Sequence, residues 1–185
     1  VKNGRKRRIM FEDTTQKMLK FIEESPSCYH VVENLRKELK AHKFTELQEK
    51  EIWKLKKGGK YFVTRNGSSI ISFKIPRAEF SGFYMIASHS DSPSFKIKEN
   101  AEMTEGSAYV KLNVEKYGGM LMAPWFDRPL SVAGRVMVKQ KDGTIAMKLV
   151  NADRDLLMIP SLAIHMNRDA NNGYSYNAQT DMLPV

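Results

Sequence analysis

His89 and Asp91, two positions apart in the stretch 85–98 (MIASHSDSPSFKIK), are the residues whose types and spacing could bind a metal ion. A neutral imidazole gives one ring nitrogen to a metal, while its other N–H needs a carboxylate or a carbonyl to fix the tautomer. Residues two apart on a strand point the same way, so Asp91 could orient His89 or support a second ligand. The alternative, a loop histidine bonded to a loop aspartate, stays open because this spacing alone is a weak signal.

The apolar run 82–88 (GFYMIAS) leads directly into this pair. It predicts a continuous strand that is buried on both faces, with His89 at its carboxyl end and Ser92-Pro93 ending the strand. Open α/β sheets bind ligands at the carboxyl ends of their strands. The sequence therefore predicts a site at this end of a central strand.

The elements around the pair change character along the chain. Apolar residues at helical spacing predict helices over 13–24 and 28–42, the second capped by Ser27. Strands are predicted over 60–65 and 69–75, joined by an Asn-Gly turn. After Pro93 the pattern alternates, with strands predicted at 107–117, 130–140 and 145–150. We therefore expect an α/β protein with three parts, namely a disordered basic extension at 1–10, an α/β part at 11–93 and a β part at 94–185.

The net charge of +9 is concentrated at the start of the chain, where five basic residues fall within the first eight positions. The remaining positions show no basic stripe with interleaved aromatic residues, so we expect no nucleic-acid partner. A non-catalytic assembly or binding module with a basic tail is the competing class of function. Basic residues clustered on the folded part would favour that class.

Cys28 is the single cysteine, which excludes an intrachain disulfide and suits a reducing compartment. A buried inert thiol is the simpler interpretation than a nucleophile paired with His30. No apolar run approaches the ~20 residues that a membrane-spanning helix needs. The expectation is a cytoplasmic protein without a membrane partner.

Five ordered blocks resemble the aspartyl aminopeptidase family, a group of two-zinc exopeptidases. The first is SHSDSPSFKIK (88–98), which is similar to the family's first metal-ligand segment. The other four lie at 21–39, 53–73, 117–136 and 159–185. The resemblance implies the start of a zinc-peptidase α/β sandwich domain followed by a β-rich dimerisation domain, the latter incomplete here. It also implies release of N-terminal residues, acidic ones, from peptide substrates.

The resemblance assigns roles to three residues. His89 matches the histidine that binds one of two zinc ions, and Asp91 matches the aspartate that supports it. His165, in LAIH, resembles a histidine that a partner subunit sends into the active site, where it stabilises the oxyanion. From the residues alone, a core or turn histidine is the plainer interpretation of His165. Ser161 stands where the family pattern IPHLAIH has a histidine, which puts a role for a second histidine in doubt.

The number of metal ligands in the sequence predicts whether the 185-residue chain could be active alone. Two zinc ions that share a water need about five protein ligands, and cobalt or manganese could replace zinc. The resemblance implies that the bridging aspartate, the glutamate base and the remaining ligands follow the β part. We therefore expect an N-terminal portion that is inactive alone, within a dimer-based homo-oligomer that is dodecameric when the enzyme is full length.

Overall fold

The computed structural model describes the backbone of residues 2–106 and 108–185, and the side chains of 11–104, 106 and 108–185. The chain forms two compact units. Unit 1 contains the chain up to Asp91 together with the segment Ala133–Asn151. Unit 2 contains Ser92–Val132 and Ala152–Val185.

Two helices open unit 1, α1 at Lys2–Glu23 and α2 at Cys28–Ala41. Ser27 precedes α2 in an extended conformation and its hydroxyl accepts the backbone N–H of His30, so the predicted cap is confirmed. Helix α1 begins at Lys2, whereas the sequence predicted disorder over 1–10 and a helix from 13. Extending an existing helix costs less than nucleating one, and Lys and Arg favour helices. None of the described helices is long and apolar enough to cross a bilayer.

A three-stranded sheet follows the helices, with β1 at Thr45–Leu47, β2 at Lys60–Arg65 and β3 at Ser69–Lys74. Strand β1 runs parallel to β2, and β2 pairs antiparallel with β3. This confirms the predicted hairpin. The central strand β2 supplies most of the core of unit 1, since Tyr61, Phe62 and Val63 are buried together with Val32 of α2.

A second hairpin, β4 at Ala133–Lys139 and β5 at Ile145–Asn151, also belongs to unit 1. Arg135 links it to its surroundings: its Nη1 donates to the carbonyl of Asn66 at 2.7 Å and to Asn66 Oδ1 at 3.0 Å. Its guanidinium carbon also lies 4.4 Å from the centre of the Tyr29 ring of α2. The two units therefore differ from the predicted parts 11–93 and 94–185, which place this hairpin with the later residues.

Unit 2 consists of β strands and irregular segments. Strands β6 at Ser94–Glu105 and β7 at Tyr109–Tyr117 form an antiparallel pair with an irregularity between Ile97 and Glu102. A short 3-10 turn follows at Ala123–Trp125, and isolated bridges join Phe126 to Ile159 and Leu130 to Leu157. The buried residues of this unit include Val114, Ile159, Met182 and Pro184. The mixed α/β class predicted from the sequence is confirmed.

The predicted buried strand over 82–88 is wrong for this chain. In the part that the structure describes, no strand lies between Lys74 and Ser94. Phe83, Tyr84, Met85 and Ile86 are instead exposed, with relative accessibilities of 60%, 108%, 89% and 101%. A strand buried on both faces needs neighbouring strands and a covering layer on each face. The described residues give this segment neither, so its apolar side chains face solvent.

Candidate active site

His89 and Asp91 are in direct contact, but in a loop and not at the end of the strand from which the sequence predicted their contact. His89 Nδ1 lies 2.7 Å from the Asp91 carbonyl oxygen and 3.1 Å from its carboxylate Oδ1. Both oxygens are acceptors, so Nδ1 carries the proton and donates. Nε2 is then the ring nitrogen with a lone pair, which is the arrangement a metal-binding histidine requires.

Ser90, between the two, ties the motif to the hairpin of unit 1. Its hydroxyl donates to the Ser68 carbonyl at 3.1 Å, and the Ser68 N–H donates to the Arg65 carbonyl at 3.1 Å. The motif is therefore fixed beside the β2–β3 turn, although it does not follow a strand. Its side chains are open to solvent, with 81% of His89 and 40% of Asp91 exposed.

Whether these residues could hold zinc depends on how many ligand side chains they bring together. His89 supplies a nitrogen ligand with the correct tautomer, so one position fits. Among the described residues, however, no group of three or more His, Cys, Asp or Glu side chains could hold a metal ion. A structural zinc site needs four protein ligands and a catalytic one needs three. These residues therefore fit as one ligand and its support, not as a whole site.

His165 lies in unit 2, in a hydrogen-bonded turn that is exposed to solvent. The Ala163 carbonyl accepts the N–H groups of Met166 at 2.8 Å and Asn167 at 3.2 Å, which closes the turn around His165. The structure thus places His165 in an exposed turn and not in the core. From this turn the imidazole can reach a ligand or another protein surface.

Asp127 and Ser161 form a contact that the sequence did not predict. The Asp127 carboxylate accepts the Ser161 hydroxyl at 2.5 Å and the Ser161 N–H at 3.0 Å. These two bonds hold the pKa of the Asp127 carboxyl below its ordinary value, and the bond from the hydroxyl contributes most. Arg128 donates to the Pro124 carbonyl at 3.4 Å.

A cavity of about 320 Å³ lies within unit 2 beside this contact. Ser161 lines it, as do Leu162 and Asn167, which flank the His165 turn. Tyr174 and Asp181 lie on its polar side, where the Asp181 charge raises the pKa of the Tyr174 phenol. The His165 turn therefore forms part of the wall of a cavity with polar and aromatic side chains.

Residues 21–185 match the family of aminopeptidase I zinc metalloproteases, M18. The chain belongs to the M18 family. Since that family is one of zinc metalloproteases, the aminopeptidase and zinc expectations are confirmed at the level of the family. The individual roles of His89, Asp91 and His165 stay predictions.

Relatives and solved structures agree with this assignment to the M18 family. The chain is 47% identical over 173 residues to a probable M18 family aminopeptidase 2 of Clostridium acetobutylicum, spanning 92% of this chain and 40% of the relative. It is 44% identical over 171 residues to aspartyl aminopeptidase 1 of Schizosaccharomyces pombe, spanning 90% and 36%. The chain thus spans about 40% of the length of the curated relatives it matches.

Two solved structures resemble the fold closely. The mApe1 protein of Chaetomium thermophilum superposes with a TM-score of 0.85 and 39% identity, covering 94% of this chain and 40% of that one. The mApe1 dodecamer of S. cerevisiae gives a TM-score of 0.76 and 28% identity, covering 94% and 38%. The predicted start of an M18 peptidase fold is therefore confirmed.

Proposed function

We propose that the protein containing this chain is a zinc-dependent aminopeptidase that releases acidic N-terminal residues from peptides. The observation that carries the proposal is the His89–Asp91 contact, which leaves His89 Nε2 with the lone pair, in a chain of a zinc metalloprotease family. The acidic preference is supported by the aspartyl aminopeptidase among its relatives.

In this mechanism, His89 is a metal ligand and Asp91 holds it in place. The Asp91 carbonyl and carboxylate keep the proton on Nδ1, so the imidazole offers Nε2 without a change of tautomer. Ser90, bonded to the Ser68 carbonyl, restrains the backbone between them. When bound, zinc polarises the peptide carbonyl and lowers the pKa of water.

His165 acts on the same carbonyl, from a neighbouring subunit. Its exposed turn allows the ring to reach outward and donate a hydrogen bond to the carbonyl oxygen as negative charge develops. Such a donor contributes about 10²- to 10³-fold to kcat. Donation of a residue from one subunit to another requires a homo-oligomer, which we take to be built from dimers. The dodecamer of a structural relative supports a homo-oligomer.

The remaining ligands and the glutamate base come from other parts of the protein in this proposal. Two zinc ions occupy each active site, and cobalt or manganese can replace them. The 185-residue chain is then inactive alone, since its described residues offer no cluster of three ligands. A cytoplasmic location stays a prediction.

A non-catalytic binding module with a basic tail is the other candidate. The side chains of Lys2, Arg5, Lys6, Arg7 and Arg8, which would form that tail, lie outside the described side chains. The family match over residues 21–185 favours the enzyme.

The test uses the complete protein encoded by the gene and compares His89→Ala with His42→Ala. Both imidazoles have Nδ1 bonded to a backbone carbonyl, since His42 contacts the Glu38 carbonyl at 3.0 Å at the end of α2. Release of Glu, Asp and Leu from peptides is measured with and without a chelator, together with bound zinc.

We expect chelator-sensitive release of Glu and Asp, lost in His89→Ala with a fall in bound zinc and unchanged in His42→Ala. The 185-residue chain should show no turnover. Faster release of Leu would refute the acidic preference, while full activity of His89→Ala would refute the ligand assignment. Chelator-sensitive turnover by the short chain would refute its proposed inactivity.

A further inference from the structure

Asp127 meets the segment before His165 at three points. Its N–H donates to the Ile159 carbonyl at 2.9 Å, and its two carboxylate oxygens accept the N–H and the hydroxyl of Ser161. A bridge between Phe126 and Ile159 extends the same contact. One residue therefore fixes both ends of the short segment 159–161.

The backbone of Asp127 is adapted to this position. Its φ of +54° lies in the left-handed region, which Asp and Asn tolerate better than most residues. This conformation lets the N–H and the side chain of one residue bond the same neighbouring segment.

The anchored serine lies just before the turn that holds His165. Ser161 is two residues from Ala163, whose carbonyl closes the turn with Met166 and Asn167. The segment between the anchor and the turn is too short to absorb a large displacement, so a shift of Ser161 moves the turn.

We propose that Asp127 is a positioning residue, which holds the His165 turn in the orientation needed to act on substrate. The proposal rests on the proposed role of His165. Asp127 itself touches no reacting atom in this scheme, because its carboxylate oxygens are bonded to Ser161. The small serine serves here as the partner of the carboxylate, which gives the departure from IPHLAIH a structural role.

The chain offers a matched control at Asp142 in the turn of the β4–β5 hairpin. The Asp142 carboxylate accepts the Thr144 N–H at 3.0 Å and the Thr144 hydroxyl at 2.6 Å, the same pair of bonds that Asp127 makes. Asp142→Ala therefore removes two hydrogen bonds of the same kinds in unit 1, whereas the His165 turn belongs to unit 2.

The experiment compares Asp127→Ala, Asp127→Asn, Ser161→Ala and Asp142→Ala in the complete protein, each with His165 intact and with His165→Ala. Steady-state kinetics on a glutamyl peptide give kcat and KM separately. Melting temperature and the oligomeric state establish that each variant is folded. Hydrogen exchange of the amides of Ser161, Met166 and Asn167 reports the turn directly, without reference to activity.

With His165 intact, Asp127→Ala should lower kcat by roughly tenfold to a hundredfold, the size of effect that a misplaced group produces. Asp127→Asn keeps the left-handed preference and one acceptor oxygen, so it should recover part of that loss. Ser161→Ala should lower kcat less than Asp127→Ala because it keeps the backbone N–H. Asp142→Ala should change kcat by less than about twofold.

In the His165→Ala background, Asp127→Ala should have almost no further effect on kcat, because residues that act together are not additive. An equal loss in both backgrounds would overturn the positioning role and indicate a general structural one. If His165→Ala itself has no effect, the proposed role of His165 fails, and Asp127 as its positioning residue for catalysis fails with it. If His165→Ala lowers kcat but Asp127→Ala does not, only the present inference fails.

Hydrogen exchange tests, independently of activity, whether Asp127 holds the His165 turn in place. Asp127→Ala should speed exchange at the Ser161, Met166 and Asn167 amides, while Asp142→Ala should leave them unchanged. Equal protection in both variants would overturn the inference even if the protein has no peptidase activity. Should Asp127→Ala not fold, the same comparisons apply to Asp127→Asn and Ser161→Ala.

Discussion

Glu46 shows how single side chains connect helix and sheet in unit 1. Its carboxylate accepts from Arg36 Nε at 2.8 Å and from Lys40 Nζ at 2.7 Å, both on α2. The hydrogen bond from Arg36 is the main cause that lowers the pKa of Glu46, with Lys40 adding to it. Only 16% of the Glu46 side chain is exposed, while Arg36 and Lys40 are 37% and 47% exposed.

Glu46→Gln should lower the free energy of unfolding at pH 7 by about 0.5–1 kcal/mol, the size of a partly screened ion pair. A carboxyl with a lowered folded pKa stabilises above its unfolded pKa of roughly 4.3, and that stabilisation is lost as pH falls through the folded pKa. The difference from the natural sequence should therefore be smaller at pH 3 than at pH 7. Urea unfolding at both pH values measures it.

Glu49→Gln is the matched control for this prediction. Glu49 also pairs with an arginine, Arg65, but their side chains are 41% and 77% exposed, so its removal should change stability little. A Glu46→Gln effect no larger than that of Glu49→Gln at pH 7 would contradict the prediction.

At the scale of elements, the β2–β3 hairpin depends on the turn of three residues, 66–68, that joins its strands. Asn66 and Gly67 have φ values of +53° and +66°, the left-handed pair of a type I′ turn. This turn twists in the same sense as the strands it joins, and its second position favours glycine. The Asn66 carbonyl also accepts from Arg135, so the turn supports the docking of the β4–β5 hairpin.

Gly67→Ala should destabilise the protein by about 1–2 kcal/mol, the cost of a left-handed conformation for a residue with a side chain. The added Cβ would lie 3.5 Å from Met147, an ordinary contact, so the cost is one of backbone strain. Gly134→Ala, where nothing lies within 4 Å of the new Cβ, should be nearly neutral. Thermal unfolding of both variants tests this, and equal effects would refute it.

Local patterns predicted these elements because their causes are local. The Ser27 cap, the Asn66-Gly67 turn and the alternation of β4 and β5 each depend on residues within a few positions of one another. The segment 82–88 could not be predicted in the same way. Its apolar character indicates burial, but burial depends on neighbours that are distant in sequence.

At the scale of the whole molecule, the described residues leave a run of large apolar side chains uncovered. Tyr84, Met85 and Ile86 are among the most exposed apolar side chains. Because the chain spans about 40% of its relatives, we expect further residues of the protein to cover this run.

Hydrogen exchange should reveal that covering at residues 83–86. In the 185-residue chain these amides should exchange rapidly, because the segment does not form a strand. In the complete protein they should be protected, because a buried strand bonds its amides to neighbours. The amides of 61–63 in β2 serve as the internal reference. Equal exchange of 83–86 in both proteins would refute the expectation.

The sequence by itself determined the helix α2, both predicted hairpins and the resemblance to the aspartyl aminopeptidase family. These depend on periodicity, turn chemistry and short sequence motifs, which act over short distances. Only the tertiary structure decided that the β4–β5 hairpin belongs with unit 1, that the run 82–88 is uncovered, and that Asp127 bonds Ser161. The first and third of these features join residues that are 34 or more positions apart in sequence. The second depends on strands that would have to pack against the run. No local pattern specifies such contacts.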